Sequence, residues 1–167
     1  ILDFLFDDKP VEVSATGMAH ASNQPENVAY LTLFYNDNLI AHIHVNWLSP
    51  VKIRQTLIGG DRKMLVYDDL EPTEKVKIYD KGINMVNDDK SIYDMRVGYR
   101  TGDMWAPNLD NTEALFRLTN HFRDCIHGKD EPVTNSLSGL RVVRMMEAAT
   151  ISMGNNGKPE KFNTRIL

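Results

Sequence analysis

Two histidines, His42 and His44, stand two residues apart in an alternating apolar and polar run, so their imidazoles project from one face of an extended strand. Some sheet proteins hold zinc at that spacing. Asn46 continues the face, and Ala41, Ile43, Val45 and Trp47 form the opposite one. Two ligands rarely suffice for a metal. His20 and His121 exist in principle as further ligands, but no third is evident, so a polar sheet face, solvated or at an interface, is the commoner reading. Lys52 and Arg54 share a face of the next alternating run, followed by Thr56, and such a pair could clamp a carboxylate or a phosphate. The plainer reading is a solvated edge or an ion pair with the acidic surplus.

The phrase Tyr99-Arg-Thr-Gly-Asp-Met-Trp-Ala-Pro107 gathers phenol, guanidinium, carboxylate and indole around a glycine. Those groups suit sugars and nucleotides, while an aromatic beside proline more often anchors a loop on the following helix. His121 and Asp124, three apart on a helix, could form a relay but more commonly make a surface pair. Cys125 falls on an apolar stripe with Phe122 and Ile126, which predicts an inert buried thiol. Met145, Met146 and Met153 read as core filling.

The elements that position these groups follow from periodicity. Residues 1–6 read as the tail of a helix stopped by Asp7-Asp8-Lys9 and by Pro10. Val11 to Thr16, Val28 to Tyr35, Leu39 to Trp47, Lys52 to Ile58, Met64 to Asp68 and Lys75 to Tyr79 then alternate as strands. Asn36-Asp37-Asn38 supplies a hairpin turn. Residues 80 to 92 read as a loop, and Met95 to Arg100 as a possible further strand. From 111 to 154 the period turns helical. A first helix places Leu115, Leu118, Phe122, Cys125 and Ile126 on one stripe, with a capping box at Asp110 and Glu113 and a stop at Gly128. A second, from about Ser136 to Met153, aligns Leu140, Val143, Met146 and Ala149. The expected class is α+β: an open-faced, mostly antiparallel sheet of six to seven strands over 11–100, with the C-terminal helices on one face.

Composition narrows the function. The 167 residues are 42% hydrophobic and 25% charged, which fits one globular domain of the usual 100 to 200 residues. Lys plus Arg number 19 against 23 Asp plus Glu, with no basic cluster, so nucleic-acid binding is not expected. No apolar run approaches the roughly 20 residues of a membrane span. One cysteine and no signal peptide point to the cytoplasm. There is no G-x-G-x-x-G, P-loop, G-x-S-x-G or H-E-x-x-H, so no complete catalytic set is visible and no metal site is expected. The chain opens at Ile1 rather than methionine, and we expect it to be a piece of a longer protein.

The phrases Pro10-Val-Glu-Val-Ser-Ala-Thr-Gly17, Asn27-Val-Ala-Tyr30, Ala41-His-Ile-His-Val-Asn-Trp-Leu-Ser-Pro-Val-Lys-Ile-Arg54 and Leu65-Val-Tyr-Asp-Asp69 occur in that order. Asn111-Thr-Glu-Ala-Leu115, His121-Phe-Arg-Asp-Cys-Ile126, Ser138-Gly-Leu-Arg-Val-Val-Arg144 and Glu147-Ala-Ala149 follow them. Together they resemble the C-terminal domain of the Gfo/Idh/MocA oxidoreductases, most closely the branch acting on nucleotide-linked sugars. The resemblance covers nearly the whole chain.

It implies an upstream Rossmann domain that binds NAD or NADP. It also places the family's Glu-Lys-Pro lysine and its histidine phrase before Ile1, leaving no catalytic residue in this chain. Residues 1–167 would then be one substrate-binding and oligomerisation domain, inactive alone and binding no cofactor. Trp47, Lys52, Arg54, Tyr99 and Trp105 become candidates for the substrate-side wall, for a sugar or nucleotide-sugar. His42 and His44 become candidates for a homo-oligomeric contact through the open sheet face. The competing readings are a non-catalytic sugar-binding or oligomerisation module, and a metal-dependent hydrolase through the two histidines.

Overall fold

The structure is a computed structural model, and it describes all residues except 23, 81, 85–97, 101, 111 and 163–167. In chain order the elements begin with α1 (Leu2–Leu5), β1 (Glu12–Met18), β2 (Val28–Phe34), β3 (Ile40–Asn46), β4 (Gln55–Gly59), β5 (Met64–Asp68) and β6 (Val76–Tyr79). They continue with β7 (Gly82–Asn84), β8 (Gly98–Arg100), β9 (Met104–Trp105), α2 (Ala114–Ile126), α3 (Ser136–Gly154) and β10 (Glu160–Lys161). The α+β class and the antiparallel pairing are as expected. The chain divides into two compact units, 1–50 with 118–167, and 51–117.

The first unit holds a four-stranded sheet in the order β10-β1-β2-β3, antiparallel throughout. The hairpin expected around Asn36-Asp37-Asn38 is present, pairing Leu33 with Ala41 and Leu31 with Ile43. Its register continues into β1, where Val13 pairs Leu33 and Ala15 pairs Leu31. Because side chains alternate along a strand, these residues line one face. Val13, Ala15, Leu33 and Tyr35 form the buried core with Ala148 and Ala149 of α3.

The helix lies close on β1. Gly17 makes that possible: a Cβ there would sit 2.7 Å from the Met153 sulfur and 2.9 Å from Glu26 Cγ. Gly157, at φ +79°, turns the chain back toward Ser14 and Thr16 and into β10.

Ser152 is wholly buried at this junction. Its hydroxyl accepts from the Ala15 amide at 2.9 Å and donates to the Lys158 carbonyl at 2.6 Å, so one side chain ties helix, strand and the turn after the helix. Asn135 caps the other end of α3, accepting from the Ser138 amide at 3.0 Å.

The stripe expected to face the core of α3 is displaced. Ala148, Ala149 and Ser152 are buried, whereas Leu140, Val143 and Met146 are exposed. A helix this near a strand presents its small residues, which apolar periodicity alone does not distinguish from large ones. On α2 no residue is buried, and the expected core stripe of Leu115, Leu118, Phe122 and Ile126 is 64–67% exposed. Cys125 is half-buried rather than buried.

The N-terminal turn is fastened to α3 by charge. The Asp3 carboxylate, with its side chain only 12% exposed, accepts from Arg141 Nε at 2.8 Å and Arg141 Nη2 at 2.9 Å, and Lys9 Nζ stands 3.6 Å away. Lys9 also donates to the Asp3 and Phe6 carbonyls, each at 2.7 Å. Phe6 meets the Tyr35 ring edge-on at 6.3 Å.

The second unit carries a sheet in the order β4-β5-β6-β9 and a separate hairpin of β7 and β8. The strands therefore divide between two four-stranded sheets instead of joining one. Alternation reveals which face of a strand is apolar, and pairing depends on contacts it does not encode. The strand expected from Lys52 begins only at Gln55, so Lys52 and Arg54 precede β4 and do not share a strand face. Residues 95–97 of the strand expected at Met95 to Arg100 lie outside the described residues; 98–100 form β8. Gly102 is required where the chain crosses Asp80, since a Cβ would stand 2.2 Å from the Asp80 carbonyl oxygen.

Ser152→Ala removes the acceptor of a buried amide and is expected to cost about 1–3 kcal/mol, read as a lower urea midpoint at unchanged slope. Arg141, followed by the Lys9 charge, holds the Asp3 carboxyl below its ordinary 3.8 against the opposing effect of burial. Asp3 therefore contributes stability above pH 3.8 that is lost as pH falls through its lower folded value. Asp3→Asn should be less stable than the native chain in urea at pH 7, with the difference closing as the pH is lowered beneath 3.8.

Candidate functional site

The face of β1, β2 and β3 opposite α3 carries the two histidines. Register sets His42 beside Thr32 and His44 beside Tyr30. Thr32 Oγ1 lies 3.1 Å from His42 Nδ1, and the Tyr30 and His44 rings stack at 4.4 Å with 4° between their planes. Both imidazoles are thus engaged by their cross-strand neighbours. Among the described residues no group of three His, Cys, Asp or Glu is placed to hold a metal. His20 and His121, the two further histidines considered as ligands, have other partners: His20 Nδ1 lies 2.7 Å from Asn27 Oδ1, and His121 Nδ1 lies 3.1 Å from Asp130 Oδ2.

Trp47 follows β3 directly. Its backbone amide donates to the Asn27 carbonyl at 2.8 Å, and the next amide, Leu48, donates to Asn46 Oδ1 at 2.8 Å. The backbone is pinned while the indole is 90% exposed. Such an indole offers an apolar face and a single N–H donor to whatever approaches.

In the second unit the Arg54 guanidinium donates to Asp69 Oδ2 at 3.3 Å, and the Tyr67 hydroxyl donates to Asp69 Oδ1 at 3.0 Å. Tyr67 first, then Arg54, keep the Asp69 carboxyl below the usual range, and the same bond pushes the Tyr67 phenol up. Arg54 thereby takes the ion-pair role weighed against ligand contact. Its side chain is 60% exposed, so the pair is a weak one. Lys52 lies exposed before β4. Trp105, in β9 opposite Ile78, carries Lys63 Nζ 4.7 Å from its ring centroid. Tyr99 lies in β8 opposite Ile83. Within this unit Arg54 and Trp105 each acquire a charged neighbour, while Trp47 belongs to the first unit.

On α2 the expected pairing of His121 with Asp124 is replaced. His121 faces Asp130, its Nε2 accepts from the Val133 amide at 3.2 Å and lies 3.6 Å from Cys125 Sγ, and Asp124 pairs with Arg123. The order thiol, imidazole, carboxylate superficially matches a nucleophile with its base and orienter. Burial, followed by the charges of Asp130 and Asp124, pushes the Cys125 thiol up, and the Val133 amide already occupies the imidazole lone pair. This arrangement pins the loop after α2 and does not generate a thiolate.

Asn27, Asp69 and Asp130 are the partners that sequence reasoning missed. Each acts through a residue 7, 15 or 9 positions away in a turn or across a strand pair, where no spacing rule applies.

No family model and no curated protein matches the chain. Solved structures do match its fold. The UDP-N-acetylglucosamine 3-dehydrogenase GnnA from Acidithiobacillus ferrooxidans aligns over 90% of this chain and 42% of its own, at TM-score 0.70 and 18% identity. An aldose-aldose oxidoreductase from Caulobacter crescentus aligns over 92% of this chain and 42% of its own, at 0.65 and 16%. The WlbA dehydrogenase from Bordetella pertussis, solved with NADH and UDP-GlcNAcA, aligns over 97% of this chain and 41% of its own, at 0.55 and 12%. The chain shares the fold of part of these oxidoreductases and spans less than half their length. No helix among the described residues is long and apolar enough to cross a membrane.

Proposed function

We propose that this chain is the substrate-side and subunit-contact portion of a cytoplasmic NAD(P)-dependent oxidoreductase that oxidises or reduces a hydroxyl or ketone of a sugar or nucleotide-sugar. The observation that carries the reading is the alignment of 90% of the chain with a UDP-N-acetylglucosamine 3-dehydrogenase, in agreement with the order of the sequence phrases.

Hydride transfer needs a nicotinamide held against a carbinol carbon and a base at its hydroxyl. The described residues do not fit that cofactor. Both four-stranded sheets are antiparallel, and neither contains the parallel strand-helix-strand unit with a glycine turn on which a dinucleotide rests. The proposal assigns cofactor and base to the rest of a longer protein, with this chain inactive alone. The same reading accounts for α2, on which Leu115, Leu118, Phe122 and Ile126 stay exposed among the described residues. Proposed substrate contacts are Trp47 in the first unit and Lys52, Arg54, Tyr99 and Trp105 in the second. His42 and His44, on the open face of the first sheet, are proposed to meet a second copy.

The full-length protein, given NAD or NADP and a panel of UDP-sugars, should produce reduced cofactor with at least one of them. No turnover with any sugar or nucleotide-sugar overturns the reading. In that protein Arg54→Ala should raise KM for an acidic or nucleotide-sugar by about one to two orders of magnitude, as expected for loss of a charged hydrogen bond. An unchanged KM removes Arg54 from the site. For the sheet face, the double variant His42→Glu and His44→Glu should sediment as a smaller species than the native protein. Equal sedimentation, with the native protein oligomeric, places the contact elsewhere.

A further inference from the structure

The first unit joins Trp47 to two residues with no role so far, His20 and Asn27. β1 stops at Met18, β2 starts at Val28 and β3 stops at Asn46, and these three residues form the last rung of the sheet. Just past that rung stands Asn27. Its amide donates to the Met18 carbonyl at 3.0 Å, its carbonyl accepts from the Trp47 amide at 2.8 Å, and its side-chain oxygen lies 2.7 Å from His20 Nδ1. One residue thus joins the ends of two strands separated by a third and fixes an imidazole at the same place.

The bond to Asn27 has a chemical consequence for His20. An amide oxygen accepts, so Nδ1 carries the proton and Nε2 of the neutral ring is left with its lone pair, on an exposed residue. The Asn27 side chain, having used its oxygen, keeps its NH₂ as a donor. Trp47, whose amide bonds the Asn27 carbonyl, presents an almost fully exposed indole on a backbone pinned at two successive amides. A flat apolar face, an acceptor and a donor, held by one hub, match a pyranose ring, which has an apolar C–H face and a rim of hydroxyls. The charge of the neighbourhood points the same way. Trp47 and Asn27 are uncharged side chains, and Glu26, which flanks Asn27 and lies against Gly17, is acidic and repels a diphosphate.

We propose that His20, Asn27 and Trp47 form a monosaccharide-ring subsite at this end of the sheet, with Trp47 as the stacking face and His20 Nε2 and the Asn27 amide as hydroxyl partners. The assignment rests on the sugar reading above for its substrate class, and adds two residues and the part of the substrate they recognise.

The test uses the full-length protein labelled with fluorotryptophan, in which the resonance lost in Trp47→Phe identifies this indole. It is titrated separately with N-acetylglucosamine, UDP-N-acetylglucosamine and UDP. The two sugar-bearing ligands should shift the resonance saturably and UDP should not. His20→Gln and Asn27→Ala should each weaken binding of N-acetylglucosamine by about 3- to 10-fold, the loss expected for one neutral hydrogen bond. Trp47→Ala, followed by calorimetry, should weaken it by about 10-fold or more. His20 is exposed, so its variant leaves the fold intact and keeps the test decisive.

A response to UDP alone, no response to either sugar, or native affinity in both the His20 and Asn27 variants overturns the subsite. A protein that turns over nucleotide-sugars without moving this resonance overturns the subsite alone. A protein that binds the sugar here and transfers no hydride overturns the enzymatic reading and leaves the subsite standing.

Discussion

The hydroxyl of Ser152 is the smallest feature on which the most structure depends. It is fully buried, and without it the Ala15 amide would face the helix with no acceptor. An orphaned buried amide costs more than an ordinary hydrogen bond returns, so α3 is held to β1 at one register. That register puts Val13 and Ala15 inward against Ala148 and Ala149. Strand pairing then carries the same parity across β2 to β3, and His42 and His44 emerge on the far face. The positions of the open-face histidines are thus set by a serine more than a hundred residues away.

Close approach imposes a second condition. The helix can sit this near the strand because Gly17 and the alanines of α3 keep bulk out, while Gly157 turns the chain back at a positive φ. Leu140, Val143 and Met146 of α3 are displaced to other sides of the helix, while Met153 stays packed against the core. On α2 the stripe is exposed at Leu115, Leu118, Phe122 and Ile126, with only Cys125 half-buried. A contiguous apolar surface of that kind is rare on a self-sufficient monomer.

What the sequence made legible was local. The hairpin from Val28 to Asn46 follows from alternation and a turn rich in Asn and Asp, and α3 follows from its period and its ending at Gly154. Both are governed by interactions a few residues long. The division of the strands into two sheets was not legible, because the run from Lys52 to Ile58 alternates like the strands before it, yet its strand begins only at Gln55 and pairs in a different sheet. Nor was the buried side of α3, where size outweighs hydrophobicity. The candidate residues fared similarly. Trp47, Arg54 and Trp105 were recognisable by type, but Asn27, Asp69 and Lys63, which give them their surroundings, are brought to them by the folded chain.

Those surroundings separate the chemistry of the two units. In the second, Arg54 is tied to Asp69 and Lys63 lies over Trp105, so an anionic ligand there would compete with a carboxylate for the guanidinium. The competition is mild. Exposed ion pairs contribute about 0–1 kcal/mol, and a diphosphate offers more acceptor oxygens than the carboxylate it displaces. In the first unit the backbone and the side-chain oxygen of Asn27 are held by bonds within the protein, so its neighbours are fixed without an ion pair that a ligand would first have to break. The two units thus differ in kind: one presents a guanidinium already paired with a carboxylate, the other side chains fixed without an ion pair. A sequence whose composition shows only a mild acidic surplus folds into both kinds of surface.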